Sequence, residues 1–353
     1  MQRKIVDCHM HTLSGFPEML QVIADHFGFD KYAVLACPCF AGPLNNLQVL
    51  LAKALHPDHV YALGGLTYEP HERSGEAHVR QVRRLMDAGF DGIKFIESKP
   101  GLARDLKIPM DSEELEQVFS LLEEKQVPIL WHVGDPATFW DEKLAPAFAV
   151  QNGWCYTDPS FPSLAELYAQ TERVLSRHPR LQVCLAHFYF TSDDMAHAKS
   201  MMDTYHGLRF DLTPGTEMYG HFLRAPDKWR EFFLTYQDRI LFGTDISDDE
   251  QDFKSGLYDT LVGLTTSTLT QSGPVKVWDI QGRGLKLPQT VLDKIFAGNA
   301  EKLYGETPRP IPLEGVAGLL KWHEENTTPA QKHLLQALAN RLHAACNGVS
   351  FRE

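Results

Sequence analysis

Short apolar runs alternate along the chain with longer segments of helical periodicity. Turn residues bound eight of these runs, which cover residues 4–11, 32–38, 60–68, 92–98, 127–135, 182–189, 208–215 and 240–247. Their nearly continuous hydrophobicity is typical of strands that are buried on both faces of a parallel sheet. We therefore predict eight parallel strands.

The segment that follows Ser112 shows the helical pattern clearly. Ser112 is a candidate N-cap, and acidic residues occupy the first turn after it. Apolar side chains recur on one helical face at Leu115, Val118, Phe119 and Leu122. The acidic residues lie on the opposite face, which we expect to be in contact with solvent.

Strands that alternate with amphipathic helices indicate an α/β fold with helices outside a parallel sheet. Eight such units are the number that closes a (β/α)8 TIM barrel, which is the fold we predict. A doubly wound open sheet is the alternative. No strand is followed by a GxGxxG turn, which disfavours a dinucleotide-binding version of that alternative.

We assign residues 1–310 to the barrel and residues 311–353 to a C-terminal helical extension that packs on it. Two insertions follow strands five and eight, at about 136–163 and 248–288. The first is rich in proline and aromatic residues, and we expect it to form a lid or substrate wall. The second contains a helical stretch and then the strand-like segment PVKVWDIQGRGLKL.

A terminal helix is predicted to open at Thr328 and to end near Gly348. Its apolar stripe consists of Leu334, Leu335, Leu338 and Leu342. This stripe is expected to pack on the barrel, and a homodimer contact is the alternative.

Composition narrows the possible partners. With 43% hydrophobic and 23% charged residues among 353, the chain is typical of a globular protein. A net charge of −12 disfavours nucleic acid, whose partners usually carry a basic face. No apolar run is long enough for a membrane span, and no signal peptide opens the chain. Six scattered cysteines fit a cytoplasmic protein with reduced thiols, and we expect a small-molecule substrate.

Polar side chains interrupt the apolar strands near their carboxyl ends. They are His9 and His11 on strand one, Lys94 on strand four, His132 on strand five, His187 on strand six and Asp245 on strand eight. Burying such groups without partners costs roughly 2–7 kcal/mol each. In a barrel they converge on one mouth, where a divalent cation can satisfy imidazole and carboxylate together.

The same residues, in this order, resemble a known family. The motifs are Asp7-x-His9-x-His11, then His132, His187, Gly243-Thr244-Asp245 and the trailing Gly298-Asn299-Ala300. Together they are similar to those of the amidohydrolase superfamily over residues 4–305. The resemblance is greatest to the amidohydrolase-related (amidohydrolase 2) branch, which includes enzymes like aminocarboxymuconate semialdehyde decarboxylase.

The resemblance implies that His9, His11, His132 and Asp245 ligate one divalent ion, Zn²⁺ or else Mn²⁺ or Fe²⁺. His187 would lie beside the metal and polarise the substrate or handle a proton. Asp245 would also accept a proton from the activated water.

Lys94 decides between one and two metal ions. Some superfamily members carry a carboxylated lysine on strand four that bridges two ions, and Lys94 with His187 could then serve a second ion. The branch in question usually works with one ion, which is our expectation. Lys94 would then be a salt-bridged wall residue or a binder of a substrate carboxylate.

Hydrolysis of a small amide, lactone or ester is the predicted function. The alternatives are non-oxidative decarboxylation of an aromatic or unsaturated acid, and a catalytically silent metal-binding barrel. Loops after strands three, five and seven supply candidates for the substrate wall, namely Arg73, Asp135, Trp140, Glu217, Tyr219 and His221.

Overall fold

The computed structural model describes residues 3–69 and 73–347 and contains one large parallel sheet. Its strands are Val6–His11 (β1), Lys31–Leu35 (β2), Val60–Gly64 (β3), Gly92–Ser98 (β4), Ile129–Val133 (β5), Val183–Leu185 (β6), Leu208–Asp211 (β7), Ile240–Leu241 (β8) and Ile246–Ser247 (β9). Each predicted apolar run overlaps at least one of these strands. Most are shorter than predicted, because the pairing stops where the chain turns toward the next helix.

The sheet closes into a barrel. Its order is β8-β7-β6-β5-β4-β3-β2-β1-β9, and every neighbouring pair is parallel. Only residues 242–245 separate β8 from β9, so the two ends of the sheet are consecutive parts of one interrupted eighth strand. Backbone bonds from Cys8 N to Phe242 O and from Asp245 N to His9 O join this segment to β1. The predicted (β/α)8 TIM barrel is confirmed.

Helices surround the barrel and fill its connections. The α-helices in the described residues are Glu18–Phe27 (α1), Pro38–Ala41 (α2), Asn45–Leu55 (α3), Gly75–Asp87 (α4), Pro100–Leu106 (α5), Glu113–Lys125 (α6), Ala147–Gln151 (α7), Leu164–Arg177 (α8), Met195–Thr204 (α9), Thr216–Arg224 (α10), Pro226–Thr235 (α11), Glu250–Ser255 (α12), Leu257–Thr270 (α13), Gln289–Asp293 (α14), Asn299–Tyr304 (α15), Leu313–Asn326 (α16) and Lys332–Cys346 (α17), and a π-helical turn at Lys294–Gly298 joins α14 to α15. The predicted apolar face of α6 is buried as expected. Ser112 occupies its N-cap position, but its hydroxyl makes no capping bond.

Two insertions lie on the connections after β5 and after the eighth strand. The first contains a 3-10 turn at Ala137–Trp140 and α7, and its own small apolar cluster forms around Phe139, Ala149 and Tyr156. The second contains α12 and α13, followed by an antiparallel hairpin of Pro274–Val277 (β10) and Ile280–Arg283 (β11).

The terminal helices pack on the outside of the barrel, α16 against α4 and α17 against α3. A 3-10 turn at Pro329–Gln331 precedes α17, and three of its four predicted apolar residues are buried. The exception is Leu334, which is 48% exposed. The predicted end near Gly348 lies outside the described residues. No helix in the described ranges is long and apolar enough to cross a membrane.

Strand six was predicted to extend to residue 189 and to carry His187, and that prediction was wrong. β6 ends at Leu185, and Ala186–Phe190 form a tight turn. Four successive residues of this turn have a positive φ between 50° and 56°, namely His187, Phe188, Tyr189 and Phe190. The turn is as apolar and as buried as a strand, so hydrophobicity could not reveal it.

Asp245 was likewise predicted within strand eight. It lies instead in the break between β8 and β9, with a φ of 58°. The left-handed backbone at this point turns the carboxylate toward the barrel mouth rather than along the strand.

Candidate metal centre

Three potential ligand atoms meet at the carboxyl ends of β1 and β8. Alternation along β1 places the buried His9 and His11 on one face, with their Nε2 atoms 3.1 Å apart. The Oδ1 atom of Asp245 lies 3.3 Å from His9 Nε2 and 3.1 Å from His11 Nε2. In the described part of the chain, this is the one group of three such residues close enough to share an ion.

Hydrogen bonds at Nδ1 turn the Nε2 lone pairs of these two imidazoles toward each other. His9 Nδ1 is 2.9 Å from Asp211 Oδ2, and His11 Nδ1 is 3.2 Å from the carbonyl oxygen of Leu35. Carboxylates and carbonyls only accept hydrogen bonds, so we assign the ring proton to Nδ1 in both histidines. Three acceptors therefore point at one place, which requires a positive charge.

The spacing of the three acceptors suits a metal ion. Ligands at about 2.0–2.1 Å from a tetrahedral zinc ion are about 3.3 Å apart, close to the separations seen. Two imidazole nitrogens and a carboxylate oxygen are also a ligand set that zinc accepts. The residues present fit a zinc-like divalent ion.

The pKa values of His9 and His11 differ because their surroundings differ. Burial holds the pKa of His9 well below its usual value, so His9 is neutral. Burial also lowers the pKa of His11, but Cys37 and the Asp245 carboxylate outweigh it and raise the pKa to about 9. A proton between His11 and Asp245 thus competes with a metal ion for the same lone pairs.

His132 and His187 form a second pair beside this group. His132 Nδ1 lies 3.1 Å from His187 Nε2, and His187 Nε2 lies 4.0 Å from Asp245 Oδ2. His132 Nε2 donates to the carbonyl oxygen of Gly134 at 2.9 Å. Burial lowers the pKa of both rings to about 4. The structure thus brings His132 to the mouth but next to His187, outside the three-atom group, and its ligand role stays a prediction.

The turn at residues 186–190 fixes His187. Its ring stacks on Phe190, with centroids 5.0 Å apart and an interplanar angle of 17°. Phe188 packs among the rings of Phe210 and Trp229 on the outer side of the sheet. Left-handed backbone costs about 1–2 kcal/mol for each residue other than glycine, so this packing holds a strained segment in place.

Asp211, at the end of β7, is a residue that the sequence analysis missed. It is fully buried, accepts from His9 Nδ1, and also accepts from the backbone N–H groups of His187 at 2.8 Å and Thr213 at 3.1 Å. One carboxylate therefore orients the ring of His9 and holds the backbone of His187. The pattern LRFD, an acidic residue that ends an apolar strand, was the available indication.

Two further carboxylates fasten β1 to the eighth strand. Asp7 accepts from His9 N at 2.9 Å and from Thr244 Oγ1 at 2.6 Å, and burial raises its pKa to about 7. Asp248 accepts four hydrogen bonds from residues 12–16, one from a hydroxyl and three from backbone N–H groups. These contacts hold the ligands of the two strands in register.

Lys94 is also directed into the mouth. Its side chain is 2% exposed, and Nζ lies 3.3 Å from His9 Nε2. None of the ion pairs in the described residues includes Lys94, so it is not the salt-bridged wall residue that was one of the two expectations.

Asp135 and Trp140 connect the first insertion to the mouth. Both carboxylate oxygens of Asp135 accept hydrogen bonds from Lys99 Nζ at 3.0 Å, and Oδ2 also accepts from the hydroxyl of Tyr156 at 2.5 Å. The Oδ1 atom of Asp135 lies 3.5 Å from His132 Nε2. Burial raises the pKa of Asp135, but Lys99 and His132 outweigh it and hold the pKa at about 2. Trp140 donates to the carbonyl oxygen of Pro162 within the insertion.

The other wall candidates differ in their surroundings. Burial raises the pKa of Glu217 to about 7, and its carboxylate lies against Gly215. Tyr219 is a core residue rather than a wall residue, because it is fully buried and its hydroxyl donates to the carbonyl oxygen of Leu212. His221 bonds Ser192 at 2.9 Å, and the exposed Arg73 donates to the carbonyl oxygen of Leu106.

One family of known proteins matches most of the chain. A family model described as Amidohydrolase matches residues 5–305. A search among curated proteins finds no match.

Solved structures resemble the fold. A 5-carboxyvanillate decarboxylase of Sphingomonas paucimobilis superposes with a TM-score of 0.54 at 11% identity, over 86% of this chain and 99% of that one. A 4-oxalomesaconate hydratase of Rhodopseudomonas palustris gives a TM-score of 0.52 at 13% identity, over 92% of this chain and 100% of that one. An uncharacterised TIM-barrel protein of Bordetella bronchiseptica gives a TM-score of 0.52 at 14% identity, over 85% of this chain and 98% of that one. At these identities the likeness shows the fold alone.

Proposed function

Because this chain belongs to the amidohydrolase family, we propose that it is a metal-dependent hydrolase acting on a small amide, lactone or ester. The observation that carries this proposal is the convergence of His9 Nε2, His11 Nε2 and Asp245 Oδ1 within 3.3 Å of one another. Zinc is the ion we propose, with Mn²⁺ or Fe²⁺ as alternatives, because the ligand set is nitrogen-rich.

His9, His11 and Asp245 would hold the ion, and His132 is the proposed fourth ligand. A bound zinc-like ion lowers the pKa of water toward neutrality and polarises a carbonyl group. Asp211 keeps the His9 ring oriented with its lone pair toward the ion, since it takes the proton on Nδ1.

Asp245 and His187 are the proposed proton carriers. Oδ1 of Asp245 faces the two histidines of β1, whereas Oδ2 lies 4.0 Å from His187 Nε2. Oδ2 is therefore the atom that accepts a proton from the attacking water. His187 Nδ1 lies 3.3 Å from the carbonyl oxygen of Thr213, which leaves Nε2 to take the proton and return it to the leaving group.

Non-oxidative decarboxylation of an aromatic or unsaturated acid is the second candidate. The buried amine of Lys94 beside His9 favours it, because a carboxylate is the natural partner of such a group. In that reaction His187 would deliver a proton to carbon while carbon dioxide leaves. Among the matching folds, one belongs to a decarboxylase and another to a hydratase.

The test combines metal analysis with a substrate screen. Elemental analysis of the purified protein should find one divalent ion per chain, and chelation should remove activity. A panel of small amides, lactones, esters and aromatic acids is followed for hydrolysis and for carbon dioxide release, which separates the two candidates. A bound ion without turnover in either assay supports the catalytically silent metal-binding barrel instead.

The variant D245N should fold, bind metal more weakly and lose turnover. D58N is the matched control, because Asp58 is exposed and lies before β3, at the opposite end of the strand from the mouth. Full activity in D245N would remove Asp245 as the proton acceptor.

A further inference from the structure

Lys94 is a buried amine with one hydrogen-bond acceptor. It lies on β4, is 2% exposed, and Nζ contacts His9 Nε2 at 3.3 Å. Within the described residues, no carboxylate forms an ion pair with it. Such a group is costly to bury unless an opposite charge or further acceptors complete its surroundings.

The one acceptor that Lys94 has is also a proposed metal ligand. His9 carries a single free lone pair, on Nε2, because Nδ1 donates its proton to Asp211. When that lone pair binds an ion, Lys94 loses its acceptor and faces a second positive charge. A metal-loaded site therefore leaves the amine of Lys94 unpaired.

The two carboxylates whose charge acts on Lys94 without an ion pair, Asp211 and Glu97, are engaged by other donors. Asp211 accepts from His9 and from the backbone N–H groups of His187 and Thr213. Glu97, three residues after Lys94, accepts from the hydroxyl of Tyr68 and from its neighbouring backbone. Asp245, the remaining carboxylate of the mouth, is itself a proposed ligand of the ion. A carboxylate from outside the chain is therefore the partner that would complete the surroundings of Lys94.

We infer that Lys94 binds a carboxylate of the substrate, between β4 and the histidines of β1. Lys94 is thus a specificity-determining residue, and the substrate class is carboxylic acids, including amides, lactones or esters that carry a carboxylate. A lysine suits this position because it presents a compact charge with three donors. The inference rests on the proposed function, since it takes His9 to be engaged by an ion.

Binding of benzoate to the metal-loaded protein, measured by isothermal titration calorimetry, tests the inference without turnover. Benzamide is the matched neutral ligand of the same shape. Three variants are compared with the wild type: K94M removes the donors, K94Q keeps neutral donors, and K107M removes a charge from an exposed lysine. Thermal melting establishes that each variant is folded, and K94Q stands in if K94M does not fold.

Benzoate affinity should fall about 10- to 100-fold in K94M, less in K94Q and not at all in K107M. Benzamide affinity should be similar in all four proteins. Equal benzoate affinity in the wild type and K94M overturns the inference. So does a native mass heavier by one carbon dioxide in the wild type but not in K94M, since Lys94 would then carry its own carboxylate.

Metal content is measured on the same samples. If the wild type binds no ion, the proposed function fails, and the inference fails with it because His9 then keeps its lone pair for Lys94. If the ion is bound but benzoate affinity is the same in the wild type and K94M, only the inference fails.

Discussion

Glycine at position 189 should give a more stable protein than alanine at the same position. Tyr189 lies in the middle of the left-handed turn that carries His187, with a φ of 56° and a fully buried side chain. Both substitutions remove the same ring and lose about 3–5 kcal/mol of packing. The difference between them therefore reports the backbone and not the side chain.

The size of the difference follows from two opposing terms. Left-handed backbone costs alanine about 1–2 kcal/mol and costs glycine almost nothing. Glycine loses about 0.5–1 kcal/mol more chain entropy on folding. Y189G should thus exceed Y189A in free energy of unfolding by about 0.5–1 kcal/mol.

Urea unfolding followed by circular dichroism measures both variants. Val174 in α8 supplies the matched pair, because it is buried in a regular helix. There the order should reverse, with V174G about 0.5–1 kcal/mol less stable than V174A. If Y189G is also less stable than Y189A by that margin, the turn is not strained and the reasoning is wrong.

Other predictions concern separate parts of the molecule. D211N should weaken zinc binding about 10- to 100-fold, because His9 loses the partner that orients it, and competition with a chromogenic chelator measures this; unchanged affinity contradicts it. K53M should lower the free energy of unfolding, measured in urea, by about 3–5 kcal/mol. The reason is that it leaves the fully buried Asp91 without the amine that lies 2.6 Å from its carboxylate. The double variant K53M/D91L should recover part of this loss. Burial lowers the pKa of His323 to about 3, below its unfolded value, so the folded protein binds fewer protons and its stability falls as the pH drops below about 6.5. Between pH 7.5 and 5, the free energy of unfolding of H323L should therefore fall by about 2 kcal/mol less than that of the wild type. Equal falls in the two proteins would refute the assignment.

The sequence predicts the barrel well, because parallel strands buried on both faces leave a mark in local hydrophobicity. It also predicts the pairing of His9 with His11, since alternation along a strand is a local rule. The placement of both beside Asp245 needs only the general rule that the strand ends of a barrel meet at one mouth.

Local patterns fail where the conformation depends on distant partners. The turn at His187 is as apolar as a strand, and its left-handed backbone accompanies the packing of Phe188 on the distant Phe210 and Trp229. Asp211 acquires its role from His9, which lies 202 residues away in the chain. Neither contact can be predicted from residues that are neighbours in the sequence.

The four hydrogen bonds that Asp248 accepts also bear on how the protein is made. Thr12 and Asp248 are 236 residues apart, so translation at about 5–20 residues per second separates their synthesis by roughly 10–50 s. During that interval β1 has no partner on its strand-eight side, and its histidines have no carboxylate from Asp245. A ribosome-bound chain that stops before residue 240 therefore exposes an unpaired sheet edge, and we expect it to need chaperone protection until the eighth strand emerges.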